Sequence, residues 1–216
     1  MVSKNANPRG RRLSTSRAVR TIAYGSALAA LLFLPSSNTA AQAGAVIDVP
    51  AGGSLQQALN AIPLGGTIRL AAGATYTGTF TLPAKGGTSA KDTILITTAT
   101  TLPPAGARID PSYKSSVATI RSSTTSSALS TAAGASYYRI VGVAFEANQN
   151  GSGDIIALGR ADQTTLASIP HHIELDRVLI AGNPSVGQKR AIAANAISVS
   201  ILNSCLLYTS PSPRDS

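Results

Sequence analysis

Three sets of side chains in this 216-residue sequence have types and spacings that could do chemistry. Asp154 and the adjacent cations Lys189 and Arg190 stand about one structural repeat apart, and a carboxylate beside two cations can hold an anionic ligand. Glu174 and Asp176 are two residues apart, so a strand would carry both on one face. Paired carboxylates are what hydrolytic acid–base chemistry requires, although Arg177 beside them makes a salt-bridged corner the plainer reading. His171 and His172 are neighbours, and neighbouring strand residues point to opposite faces. They are therefore expected to be turn histidines and not to share a metal. Asn150-Gly151-Ser152 spells a glycosylation sequon, which has meaning only in a eukaryotic secretory pathway. Isolated loop charges are ordinary surface residues, so each set depends on the scaffold that positions it.

Composition narrows that scaffold. Hydrophobic residues make up 44% of the chain, charged residues 12% and aromatics 4%, which is too apolar for a disordered tail. The net charge of +9 invites a nucleic-acid reading until its location is considered. Lys4, Arg9, Arg11, Arg12, Arg17 and Arg20 all precede Thr21, whereas Gly44 to Ser204 holds eleven Lys/Arg against eight Asp/Glu. No basic stripe for nucleic acid remains, and no heptad pattern for a coiled coil.

Both ends read as separate from the fold. In residues 1–43 a basic segment ending at Arg20 leads into an apolar run from Ile22 to Leu34. Pro35 and a small-residue cleavage pattern, Ala41-Gln42-Ala43, follow. The run is shorter than the ~20 residues a membrane span needs, so an export signal is expected, with no membrane association after its removal. The mature chain should then be secreted, periplasmic or at the cell surface. At the other end, the run from Cys205 to Asp215 resembles the in-frame translation of a transposase-type sequencing adapter. Residues 205–216 are accordingly expected to be a non-native tail, with native sequence stopping near Ser204 in mid-domain. Cys205 is the only cysteine, so an exported domain over 44–204 would hold together by packing without disulfides.

Between the ends the periodicity changes from helix to strand. Ser54-Leu55-Gln56-Gln57 spells a capping box, and Leu55, Ala58, Leu59 and Ile62 follow at helical spacing until Pro63 and Gly65-Gly66. Alternation then takes over at Ile68 and Leu70, at Tyr76, Gly78, Phe80 and Leu82, and at Ile94 and Ile96. Shifting the sequence by 35 positions lays Tyr138, Ile140, Val143, Phe145 and Asn148 over Ile173, Leu175, Val178, Ile180 and Asn183. Both copies change register at the same place, Val141-Gly142 and Asp176-Arg177. The chain must therefore turn a corner there, and Gly142 suits a positive φ. A third copy starts at Val199 and Ile201 with Leu202-Asn203 at the corner, and Ile156 and Leu158 match Ile192 and Ala194. Each repeat is one coil of a three-sheet parallel solenoid. A β-sandwich would instead show tight hairpin turns between adjacent strands.

Ile47-Asp48-Val49-Pro50, the capped helix, and the run from Gly65-Gly66-Thr67 to Thr75-Tyr76 resemble the opening of pectin-lyase-like right-handed parallel β-helix proteins. The resemblance spans residues 45–204. It implies an all-β, right-handed parallel β-helix with a short N-terminal capping α-helix, truncated at its C-terminal end. It further implies a protein that acts on or binds extracellular, acidic polysaccharide, as a pectate- or alginate-lyase-like enzyme or a glycoside hydrolase. The alternative is a non-catalytic surface or adhesive β-helix. In such proteins the polymer lies along the first sheet, where Asp154, Lys189 and Arg190 become substrate-binding candidates. Lyases of this group pair calcium with an Arg or Lys base, so Ca2+ is implied by resemblance only. No catalytic motif of the group matches residue by residue, so no catalytic residue and no metal ligand is assigned, and the catalytic coils are expected beyond Ser204.

Overall fold

The two-residue periodicity resolves into short strands that pair only with their equivalents one turn further along the chain. This is seen in a computed structural model that describes residues 44–148, 151, 153–183 and 188–207. The expected export signal over 1–43 and the residues after Leu207 lie outside the described residues, all of which fall in one compact unit. No helix among them is long and apolar enough to cross a membrane.

The chain opens with β1 (Val46–Val49) and α1 (Leu55–Ala61). The next turn contains β2 (Thr67–Leu70), β3 (Thr75–Thr77) and β4 (Phe80–Leu82), followed by β5 (Ile94–Thr98), β6 (Ala118–Arg121) and β7 (Leu129–Thr131). Two regular coils come after: β8 (Ser136–Val141), β9 (Val143–Glu146) and β10 (Asp154–Leu158), then β11 (His171–Asp176), β12 (Leu179–Ala181) and β13 (Arg190–Ala194). β14 (Ile197–Leu202) and β15 (Cys205–Leu207) begin another, so residues 205–207 of the expected tail continue a sheet. The first sheet runs β4-β7-β10-β13, the second β1-β2-β5-β8-β11-β14 and the third β3-β6-β9-β12-β15. Every pairing is parallel. The architecture is the three-sheet parallel β-helix expected from the repeats.

Register stacks like on like. Ile47, Ile68, Ile96, Ile140, Leu175 and Ile201 form one inward row along the second sheet. Tyr76, Ile120, Phe145, Ile180 and Leu206 form another on the third, and Phe80, Leu129, Ile156 and Ile192 a third row on the first sheet. Ile201 and Leu206, on the last coil, remain 43% exposed, whereas full burial of such a side chain within the stack contributes roughly 1.5–3 kcal/mol, a gain that accrues coil by coil. The pairings Tyr138↔Ile173, Ile140↔Leu175 and Ile156↔Ile192 are those read from the sequence shift.

The helix closes the first end. Ser54 Oγ accepts the Gln57 N–H at 3.3 Å, and Leu55, Ala58, Leu59 and Ile62 are buried against the strands. Gln56 fastens the plug to β4: its amide donates to Thr81 O at 2.9 Å and accepts from Thr81 N–H at 2.8 Å.

At the corner between second and third sheets a single left-handed residue suffices in the later coils: Gly142 (φ 63°), Arg177 (φ 51°) and Asn203 (φ 51°). Between β5 and β6 the same corner is expanded into a strap over residues 99–117, which runs across the later corners. Ile109 N–H donates to Asn203 O at 2.9 Å, and Arg177 donates to Pro103 O at 2.7 Å. Beneath the strap Ile109 and Val117 bury the outward-facing Ala144, Leu179 and Cys205, making a second apolar cluster outside the solenoid. A Cβ on Gly142 would come within 2.4 Å of Leu102 in this strap. Arg and Asn occupy the same corner with similar φ, so at 142 the strap adds a steric block to the strain that a left-handed backbone imposes on any L side chain. Gly142→Ala should therefore cost about 1–3 kcal/mol in urea unfolding, the usual cost of overpacking. Leu102→Ala should recover much of that loss in a double-mutant cycle. Strict additivity would mean that the backbone conformation sets the cost.

Candidate functional site

Among the described residues, the side chains singled out from the sequence meet at two places on the outer surface of the solenoid. On the first sheet, β10 and β13 pair with Asp154 opposite Arg190. The guanidinium makes a bidentate contact across adjacent coils, Nε to Oδ1 at 2.6 Å and Nη2 to Oδ2 at 3.0 Å. The structure thus brings together two of the three residues singled out from sequence, and Arg190 is held above its ordinary pKa by the hydrogen bond and the charge of Asp154. Lys189 is exposed at the entry to β13. A bidentate pair fixes Arg190, itself half exposed, against Asp154, and Lys189 beside it is exposed as well.

The second place was not anticipated as a unit. On the outer face of the second sheet a groove of about 420 Å³ is lined by Tyr137, Arg139, His172, Glu174, Ser198 and Ser200, with Ala90 and Thr93 at one side. It spans three coils, because Tyr138↔Ile173 and Ile173↔Val199 pairing places Tyr137, His172 and Ser198 in one row. All three have left-handed backbone, with φ of 57°, 53° and 55°. This second ladder of left-handed residues, at the entry to the second sheet, was not read from sequence. Tyr137 and His172 stack with centroids 4.7 Å apart and planes 13° apart, and the Tyr137 ring meets His171 edge-on at 5.6 Å.

The expectation that His171 and His172 face opposite sides is corrected here. Both lie in β11 and not in a turn, and the positive φ of His172 breaks the alternation on which that expectation stood. Their Nδ1 atoms are 2.8 Å apart.

Next to the rings, Arg139 Nε lies 2.7 Å from Glu174 Oε1, although its N–H is not aligned on that oxygen. Arg139 Nη2 also donates to Asp176 at 3.2 Å. Asp176 is only 3% exposed and is the hub of the corner. It accepts from Arg177 Nη2 at 2.8 Å, Arg177 Nε at 3.1 Å and Asn203 Nδ2 at 3.2 Å. Burial pushes its carboxyl upward, but hydrogen bonds from Arg177 and Asn203 and the charges of Arg177 and Arg139 outweigh that and leave its pKa lowered. The salt-bridged reading of Glu174 and Asp176 therefore holds: neither is free to act as a paired acid and base.

Calcium, implied by the family resemblance, does not fit these residues. Asp154, Glu174 and Asp176 are each engaged by arginine, and among the described residues no group of three or more His, Cys, Asp or Glu is placed to hold a metal ion. Tyr137, Arg139, Ser198 and Ser200 were missed from sequence, yet a signal existed. The shift that lays Tyr138 over Ile173 also lays Tyr137 over His172 and Arg139 over Glu174.

The fold and these two faces define the chain as a three-sheet parallel β-helix with a polar, ring-bearing outer surface. No family model matches the sequence, and no curated protein matches it. Among solved structures the chain is similar to an alginate lyase from Paenibacillus sp. str. FPU-7, at 22% identity and a TM-score of 0.45. The match covers 72% of this chain and 43% of that one, so this chain spans less than half of the enzyme's length.

Proposed function

We propose that this protein binds extracellular polysaccharide across the outer surface of its coils, as a polysaccharide-lyase-like β-helix exported by the segment over 1–43. The observation that carries the reading is the groove on the second sheet. A sugar ring presents an apolar C–H face bordered by hydroxyls, and the groove offers a stacked Tyr137–His172 pair bordered by Arg139, Glu174, Ser198 and Ser200. The aromatic surface supplies contact, and the polar groups supply direction. Lys189, exposed beside the locked Asp154–Arg190 pair, adds a preference for acidic polymers along the first sheet.

Binding of alginate, pectate, chondroitin and neutral dextran by calorimetry tests this. Affinity for at least one acidic polymer should exceed that for dextran, and Tyr137→Ala should weaken it by about tenfold, the equivalent of ~1.4 kcal/mol. An unchanged affinity in Tyr137→Ala would remove the groove from the recognition surface. Ultraviolet absorbance of unsaturated products, with and without added calcium, separates a lyase from a non-catalytic surface β-helix.

A further inference from the structure

We propose that His171 and His172 form a two-imidazole site for a tetragonal divalent transition metal, with Cu2+ favoured and Ni2+ next. Adjacent residues on a regular strand cannot do this, because their side chains leave opposite faces. Here the left-handed backbone of His172, φ 53°, swings its ring to the side of His171, and the two Nδ1 atoms approach to 2.8 Å. The bend itself is a property of the coil, since Tyr137 and Ser198 adopt it at the same position in the neighbouring coils. Only in β11 does the sequence place two imidazoles across it.

The separation lets a single ion reach both nitrogens. With metal–nitrogen bonds of about 2.0–2.1 Å, two nitrogens 2.8 Å apart subtend roughly 85–90° at the ion. That is the cis angle of a square-planar or tetragonal ion, the geometry of Cu2+ and Ni2+ with imidazole ligands. A tetrahedral Zn2+ site would hold its nitrogens about 3.3–3.4 Å apart at the same bond length. Among the described residues the polar partner of each imidazole is the other, so a metal would replace one shared hydrogen bond and break nothing else. Tyr137, stacked on His172 and edge-on to His171, packs against both rings and limits their movement. His171 is half-buried and His172 exposed, leaving the other coordination positions open to water or to a ligand in the groove. The site stands whether or not the groove binds sugar.

Titrating the full chain with Cu2+ against a competing chelator, followed by electron paramagnetic resonance, tests the proposal. One saturable site with hyperfine structure from two nitrogens is expected. His171→Ala and His172→Ala should each weaken it at least tenfold, and the double variant should abolish it. Zn2+ should compete at least tenfold less well than Ni2+. Copper binding that is unaltered in the folded double variant would overturn the assignment. So would a nitrogen count other than two in the unaltered protein, a readout that does not depend on any variant folding.

Discussion

Replacing Asp176 by alanine should destabilise the protein by roughly 3–5 kcal/mol, the range for removing one member of a buried ion pair. The loss is large because Asp176 gathers the second-sheet corners of several coils into one hydrogen-bonded knot. Arg139 comes from β8, Arg177 from the corner after β11, and Asn203 from the corner after β14. Without the carboxylate, Arg177 would remain nearly buried with its charge uncompensated and only the strap carbonyl of Pro103 to satisfy it. Asp176→Asn keeps the shape and should cost less, which separates charge from packing. The effect should also depend on acid in a defined direction. A carboxyl whose pKa is lowered in the folded state stabilises it fully above the ordinary value of about 3.8 and loses that contribution as the pH falls below it. The gap between the parent protein and Asp176→Ala, measured by urea unfolding, should therefore be full at pH 7 and shrink below about pH 4. A gap that persisted undiminished at pH 2 would show that the side chain acts by packing and not through its charge.

Phe145→Ala should cost a similar amount, roughly 3–5 kcal/mol. Phe145 is fully buried in the inward row of the third sheet, between Ile120 on one coil and Ile180 on the next. Parallel pairing holds those neighbours in register, so they cannot close over the cavity without shifting whole coils. In a solenoid each coil touches only its neighbours, and the damage should stay local. Hydrogen exchange should accelerate in β6, β9 and β12 while β1, β2 and α1 keep their protection. Uniform acceleration throughout would indicate that the stack unfolds as one cooperative block.

Much of this architecture was legible because the interior repeats itself. A parallel stack requires the same kind of residue at the same place on successive coils, so a self-comparison of the sequence recovers the register directly. Tyr138 over Ile173 and Ile156 over Ile192 were readable for that reason. The corner at Gly142 and Asn203 was readable because few residues accept a left-handed backbone. Arg177 in the same conformation was located only by the register change around it. β6 and β7 left little trace, since the strap over residues 99–117 interrupts their coil and removes the periodicity that marked the others.

The candidate site was less legible, and the reason is geometric. Asp154 and Arg190 could be placed on neighbouring coils, but whether they would pair with each other or stand ready for a ligand depends on a fraction of an ångström in side-chain approach. The histidines were misplaced because strand alternation holds only while φ stays negative, and the reversal at His172 has no signature in its own residue type.

Residue order by itself determined the parallel coils, the plugged first end and the inward positions of the regular coils, because burial of repeated apolar side chains leaves one workable register. Tertiary structure alone decided which outward charges cancel, that a strap seals one corner, and that two imidazoles meet beside a tyrosine. Those outcomes depend on contacts between coils whose polar residues do not repeat, and periodicity carries no information about them.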